Sequence, residues 1–488
     1  MAVPLCLCAG VPAWSQCPDG TPPPCAVRPY HAPAPNSVAV LYLENLSRDT
    51  ADAFLADGLT EEIIIRLGQV PRLDVKSRFE VGRFRTHAAD QDPTVLGRVL
   101  HAAYLVMGSV QRAGDRVRLR YEVVRAATRA QVAGDVIDRA SSDLLSVESD
   151  IAREVATAIT GRLMPEEQAR LSRPLTSDAA AYEEYLRGMQ ALHRSYDEAS
   201  LRSALVHLDR AIARDSSFAA AFSGEALVWA DLADGFAPPR AAYDRGRTVA
   251  VRALALDSAQ PLADAVLAAA VLALDLEARE AEQLARRALA LDPRSDQAHS
   301  VLSAALLAAG RVDESLEEAR LAWQEDSLLS NNGVWYAEEL ILTHRLDSAA
   351  ALLPRLRAIL PPADADAAEG MLLAARRDLP GALHFLSWRY YGGLVAGTYV
   401  RALLARGDTV AAHATVDSMV AARASGYYNP MAVAKAYAAL GDLDRGMEWL
   451  QRAFEERTFW LTYVRLDPEL APLRADARYA ALDRQLRF

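Results

Sequence analysis

The chain has 488 residues, 51% of them hydrophobic and 24% charged, which is the balance of a folded protein of two or three domains and excludes a disordered one. Its 53 basic and 64 acidic residues leave a net charge of −11, which argues against nucleic acid as the main partner. The surplus is uneven: residues 37–173 carry 19 basic and 20 acidic side chains, residues 174–488 carry 33 and 43.

Residues 1–36 read as a signal-like segment followed by a proline-rich linker. An apolar run from Val3 to Trp14 gives way to Ser15-Gln16, though the basic start of a secretory signal is missing. All four cysteines (Cys6, Cys8, Cys17 and Cys25) fall in this stretch. Cys17 and Cys25 bracket a turn-rich loop suited to a small disulfide; without nearby histidines a zinc site is the weaker reading. Together these features point to a periplasmic or secreted protein, with the cytoplasm as the alternative. No later segment reaches the roughly 18 uninterrupted apolar residues that a membrane span needs.

Residues 37–173 predict an α+β domain with a mixed sheet in the order βαβαβββα. Val38–Leu43 is apolar enough for a strand buried on both faces. Leu55, Leu59, Ile63 and Leu67 stripe one side of a helix that ends before Pro71. A short strand follows at Leu73–Ser77, and Asp92 caps a helix with Pro93 in its first turn. Tyr104–Gln111 pairs through Ala113-Gly114-Asp115 with a strand that alternates Val117, Leu119, Tyr121 and Val123 against Arg116, Arg118, Arg120 and Glu122. A third strand at about 131–137 and a helix striped by Leu144, Val147, Ile151, Val155 and Ile159 complete the domain. Ser37–Ser47, Leu55–Ile63, Tyr104–Val110 and the arginine-rich strand resemble the TolB/FlgO amino-terminal-like domain. The resemblance implies a bacterial module often followed by tetratricopeptide repeats. Relatives carry a winged-helix DNA reader, a kinase or a nucleotide cyclase in front of it; with 36 residues there, none of those is expected in this chain.

Residues 177–466 predict an all-α tetratricopeptide superhelical solenoid. Ala265, Ala268, Ala269, Leu272, Ala281, Ala285 and Ala288 lead into Asp292-Pro293. His299, Leu302, Ser303, Leu306, Ser315, Ala319 and Ala322 lead into Asp326-Ser327, so Pro293 and Ser327 stand 34 residues apart, the length of one helical hairpin of that type. Gly407 and Gly441 occupy one inter-helix turn at the same spacing, with Gly310 in the equivalent slot. Pro238-Pro239 widens the loop of the second hairpin, and Pro354, Pro361, Pro362 and Pro380 are expected to break a degenerate stretch at about 330–393. Residues 467–488 form a tail expected to cap the last hairpin, where an open solenoid end would expose apolar surface.

Chemistry-bearing constellations are sparse. There is no glycine-rich phosphate loop, no His-Glu-x-x-His, no nucleophile elbow and no cysteine beyond Cys25. No catalytic residue, cofactor or metal is therefore expected. Asp57 and Glu61 flank Gly58 and could act as paired acids; the favoured reading puts them on the solvated side of their helix, with Gly58 admitting a strand. The expected function is a non-enzymatic scaffold that holds a protein or peptide on the concave face built by the first helix of each hairpin. Aromatic and arginine anchors dominate such interfaces, so Trp335, Tyr336, Tyr390, Tyr391, Tyr399, Tyr427 and Tyr428 are partner-binding candidates, with Arg116, Arg118 and Arg120 on the sheet. One member of an adjacent pair such as Tyr390-Tyr391 is expected to face outward. The alternative is a regulator whose α/β module binds a small ligand that the repeats relay to a partner.

Overall fold

The apolar run at the start of the sheet module becomes β1 (Ser37–Val40), buried at every position because it has strands on both sides and helices on both faces. The computed structural model describes residues 32–49, 52–82, 84–85, 92–140, 143, 147–194, 196–233, 235–326 and 330–488; the signal-like run and the Cys17–Cys25 pair lie outside the described residues. Next come β2 (Glu44–Asn45), α1 (Ala53–Gly68), β3 (Asp74–Val75), α2 (Arg78–Gly82) and α3 (Pro93–Val99). The hairpin strands β4 (Tyr104–Ala113), β5 (Arg116–Arg125) and β6 (Ala130–Ala140) lead into α4 (Val147–Thr160) and α5 (Pro165–Leu171). The sheet order is β3-β1-β4-β5-β6, with β2 beside β4. β1 runs parallel to β3 and β4, whereas β4, β5 and β6 form an antiparallel meander. Val38 and Val40 point into the core shared with α1 and α4, while Ala39 and Leu41 point to the opposite face, against Leu96 and Leu100 of the α3 region. Burial along β5 alternates residue by residue, with Val117, Leu119 and Tyr121 inside and Arg116, Arg118 and Arg120 outside.

From α6 (Ala179–Arg194) onward the chain is helical hairpins. α6 pairs with α7 (Glu198–Arg214), α8 (Ala219–Leu232) with α9 (Pro239–Leu256), and α10 (Pro261–Ala270) with α11 (Ala278–Leu291). Then α12 (Asp296–Ala308) pairs with α13 (Val312–Glu325), and α14 (Ser330–Leu342) with α15 (Leu346–Ile359). The last three are α16 (Pro362–Ala375) with the short α17 (Leu379–Ala382), α18 (Ala396–Ala405) with α19 (Thr409–Ser425), and α20 (Pro430–Leu440) with α21 (Leu443–Glu456). The architecture is thus an α+β module followed by a tetratricopeptide-type solenoid.

The small residues of the sequence period are buried where helices approach, Ala265, Ala268, Ala285 and Ala288 among them. The turn glycines Gly310, Gly407 and Gly441 have φ of 78°, 84° and 79°, the left-handed region where a side chain is strained. Asp408 and Asp442 follow two of them and cap the next helix through Ala411 N–H and Arg445 N–H.

Two local departures from the sequence reading stand out. Pro354 does not break its hairpin but sits inside α15, whereas Pro362 and Pro380 do lie at breaks, in the first turns of α16 and α17, where the missing N–H costs nothing. The helix carrying Leu272 winds into a π-turn (Val271–Asp275) that ends on Leu276 with φ 54°, so the periodic stripe is locally overfilled by one wider turn. The two modules share a core. One hydrophobic cluster runs unbroken from Val38 and Ile63 through Tyr182 and Leu208 to Val266.

After α21 the chain turns back. A 3₁₀ segment (Phe459–Tyr463) packs on α12 and the π-turn, a second (Pro468–Leu470) packs on α20, and α22 (Ala471–Arg474) and α23 (Tyr479–Asp483) cover α21. Arg487 then joins the main chain at Leu276 and Ala278, so the end of the solenoid closes onto its middle.

Candidate functional site

The chain places segments from its own two ends against the first helices of several hairpins. At the module end, Glu61 of α1 lies 2.6 Å from Nδ1 of His193 in α6 and accepts a hydrogen bond of 3.0 Å from the Tyr42 hydroxyl. Arg78 of α2 reaches between Glu61 and Asp326, while Gln190 donates to Asp57 at 2.8 Å. A Cβ on Gly58 would stand 2.8 Å from a Leu186 methyl group, so that glycine admits α6. The expected solvated face of α1, with a strand against Gly58, is therefore corrected: it is the docking face for the first repeat, and Glu61 is buried in it. Burial would raise the Glu61 pKa, but His193, Arg78 and Tyr42 outweigh it and hold Glu61 down to about 2. A general base is most effective with a pKa near working pH, so this Tyr–Glu–His arrangement acts as a lock between modules.

At the other end, Tyr463 reaches the seam between α12 and α14. Glu339 there accepts from the Ser303 hydroxyl at 2.9 Å and the Ser315 hydroxyl at 3.0 Å. Burial pushes its pKa to about 8, with Glu338 adding repulsion. The cavity beside it, lined by Trp335, Tyr336 and Tyr463, is about 10 Å³, the room of a single water. Further along, Lys435 of α20 pairs with Asp467 and lies 5.7 Å from the Trp460 ring, and Thr398 donates to Glu469 at 2.6 Å. Asp231 lies near enough to Asp296 to feel its charge, and burial raises each, to about 8 and about 7. No group of three or more metal-ligating side chains occurs among the described residues.

The structure distributes the aromatic candidates over four places. Trp335 and Tyr336 stand half-buried near Tyr463, with Tyr336 stacked on Trp323 at 6.2 Å. Tyr390 and Tyr391 lie in a 3₁₀ turn, and both rings are half-buried against other parts of the chain. The Tyr390 hydroxyl donates to Asp364 at 2.7 Å, and Tyr391 packs on Tyr196 and Phe236, the latter from the loop that Pro238-Pro239 widens. Tyr399 is half-buried on α18. Tyr427 lies under Arg423, and buried Tyr428 donates to the Trp388 carbonyl at 2.6 Å. On the sheet, Arg116 and Arg118 both grip Asp138 across the strand pair, which satisfies two members of the row. Arg120 stays exposed, in register with Ser109 and Val136. The segment Phe459–Tyr463 escaped the sequence reading. Its signal is aromatic density, Phe-Trp-Leu-Thr-Tyr, directly after a strongly amphipathic helix.

No family model matches the chain. A protein of Rhizobium meliloti (strain 1021) named "Putative adenylate cyclase 3" is 29% identical over 217 residues, which is 44% of this chain and 36% of that protein. The chain thus spans little more than a third of the length of the curated relative it matches. Among solved structures, a human IFIT1 dimer with m7Gppp-AAAA shares 14% identity at a TM-score of 0.40, over 70% of this chain and 87% of that one. A tetratricopeptide repeat protein from Parabacteroides merdae ATCC 43184 shares 14% identity at a TM-score of 0.32, over 50% of this chain and 87% of that one. YrrB, described as a TPR protein with an unusual peptide-binding site, shares 18% identity at a TM-score of 0.26, over 40% of this chain and 92% of that one.

Proposed function

We propose that this chain is a non-enzymatic interaction scaffold in which a TolB/FlgO-type module is docked onto tetratricopeptide hairpins that hold a protein or peptide on their inner face. The observation that carries the reading is the seat of Phe459, Trp460 and Tyr463. An aromatic segment of the chain already lies across first helices of several hairpins, engaged by rings, a lysine and buried carboxylates. That is the chemistry by which a solenoid grips a segment of a partner. The acidic excess on residues 174–488 favours a basic or amphipathic partner. Trp335, Tyr336 and Tyr399, half-buried on first helices, are the proposed anchors beside the self-occupied seat. The Rhizobium protein's name describes a chain of which 36% is matched, and no cyclase activity is proposed.

Cross-linking mass spectrometry on cells making the full chain tests the reading, with a Trp335→Ala/Tyr399→Ala variant as control. The expected result is a partner whose cross-links map to first helices and fall at least tenfold in the variant. Cross-links confined to other surfaces and indifferent to the substitutions would reject it. An envelope location is proposed from the signal-like run, and the N-terminal sequence of the mature protein tests that separately.

A further inference from the structure

The chain leaves the sheet module at α5 and residues 172–175, and there it runs along a cleft of about 400 Å³. One wall is the outer rim of α1; the other is the loops that join the first hairpins, at residues 217–220, 256–261 and 290–292. Small-molecule sites typically enclose about 300–1,000 Å³ and gather where domains meet. Two large apolar side chains, Ile65 of α1 and Leu291 of α11, both line this cleft and stay 48% and 39% exposed. Single exposed apolar side chains need no explanation. Here two modules each contribute one to the same concavity, and Leu175 and Leu256 extend the apolar lining.

The polar groups in the cleft are mostly committed. Glu62 pairs with Arg66, which also donates to the Leu171 and Arg173 carbonyls. Asp257 accepts from Ala259 N–H and pairs with Arg173 at 3.0 Å. Asp292 accepts from Arg294 N–H, and its carboxylate is turned into that turn. The Arg170 side chain, exposed on the last turn of α5, makes no ion pair among the described residues, although its charge lies near Glu167. The Arg173 side chain keeps 63% of its surface open despite its partner. The lining arginines and acids balance in number, and Arg170 is the lining cation without an ion pair among the described residues, with Ile65, Leu175, Leu256 and Leu291 as the large apolar side chains of the walls.

We infer that this cleft binds an amphipathic carboxylate, its apolar body between Ile65 and Leu291 and its carboxylate at Arg170 and Arg173. Arginine suits that head group because its planar fork meets both carboxylate oxygens. Since the two walls belong to different modules, a bound molecule bridges the sheet domain to three successive hairpins. The inference does not depend on the scaffold reading, which concerns the inner face, and its failure leaves that reading untouched.

Titration calorimetry of the full chain with decanoate below its micelle concentration tests it, with decylammonium as the same tail under the opposite charge. Saturable one-to-one binding of decanoate is expected, at least tenfold tighter than decylammonium. Leu291→Glu and Arg170→Glu, both at exposed positions and both checked for unchanged helicity by circular dichroism, should each weaken decanoate at least tenfold. No binding, binding indifferent to both substitutions, or equal affinity for the two head groups would overturn it.

Discussion

Glu61 and Glu339 titrate in opposite directions, and their neighbours explain why. Glu61 has His193, the Arg78 guanidinium and the Tyr42 hydroxyl around it, so its carboxylate is stabilised in the fold, about 2 against an ordinary 4.5. Its contribution is fully present above 4.5 and is lost as pH falls through about 2. Glu61→Gln removes one of the two carboxylates beside Arg78 and the hydrogen-bond partner of His193, and should cost about 2–3 kcal/mol at pH 7, below the 3–5 kcal/mol of breaking a buried pair outright because Arg78 keeps Asp326. Denaturant unfolding should show that difference shrinking toward pH 2; a constant difference would mean that charge is not the cause. Glu339 has hydroxyls and a second acid around it and no ion pair among the described residues, so the fold holds its proton up to about 8. Its contribution is present below 4.5 and declines as pH rises through 8, by at most about 1.4 kcal/mol per pH unit. Glu339→Gln should flatten the fall in stability between pH 5 and 8, read from unfolding midpoints across that range. An unchanged slope would assign it to Asp231 or Glu338, which burial raises in the same sense.

Among elements, what could be read in advance was local. The turn glycines announce themselves because a left-handed residue and a following cap recur at fixed spacing, and β5 because alternation of arginine with valine, leucine and tyrosine has one geometric reading. Gly441→Ala, at φ 79° and with open space around it, should therefore cost about 1–2 kcal/mol from backbone strain alone. Gly426→Ala, extended at φ 179° and equally open, should be neutral or slightly stabilising. Thermal unfolding of the two variants compares them directly, and equal losses would rule out strain as the cause. What could not be read depended on residues far along the chain. Gly58 looks like any helix glycine until Leu186 arrives from the first repeat, and Glu61 looks solvent-facing until His193 does. The π-turn at Val271–Asp275 follows an alanine-rich helix whose own sequence gives no reason to stop, yet it receives Phe459 and the Arg487 main chain. As helical neighbours one of Tyr390 and Tyr391 would point out; in the 3₁₀ turn both are half-buried, one against Asp364 and the other against Tyr196 and Phe236.

For the whole molecule, the consequence is closure. A stack of hairpins contacts only its neighbours and would stay open at both ends. This one is tied across long separations instead: Tyr391 packs on Tyr196 and Phe236, Phe459 on Tyr243, and Arg487 on the backbone at Leu276. Because loop-closure entropy grows only logarithmically with length, a few aromatic contacts suffice to hold such ties. Closure fixes the spacing of the first helices, so under the proposed scaffold role the inner face would be preorganised and ordering costs at binding reduced. Tyr391→Ala with Phe459→Ala removes two ties without touching a helix interior. Each ring is half-buried, so each loss should cost about 2 kcal/mol, below the 3–5 of a fully buried Phe. The expected signature is a larger radius of gyration by small-angle scattering with unchanged far-ultraviolet dichroism. If the radius stays constant while stability falls, those rings serve only as packing and the closed shape is held by the module lock at Glu61, His193 and Arg78.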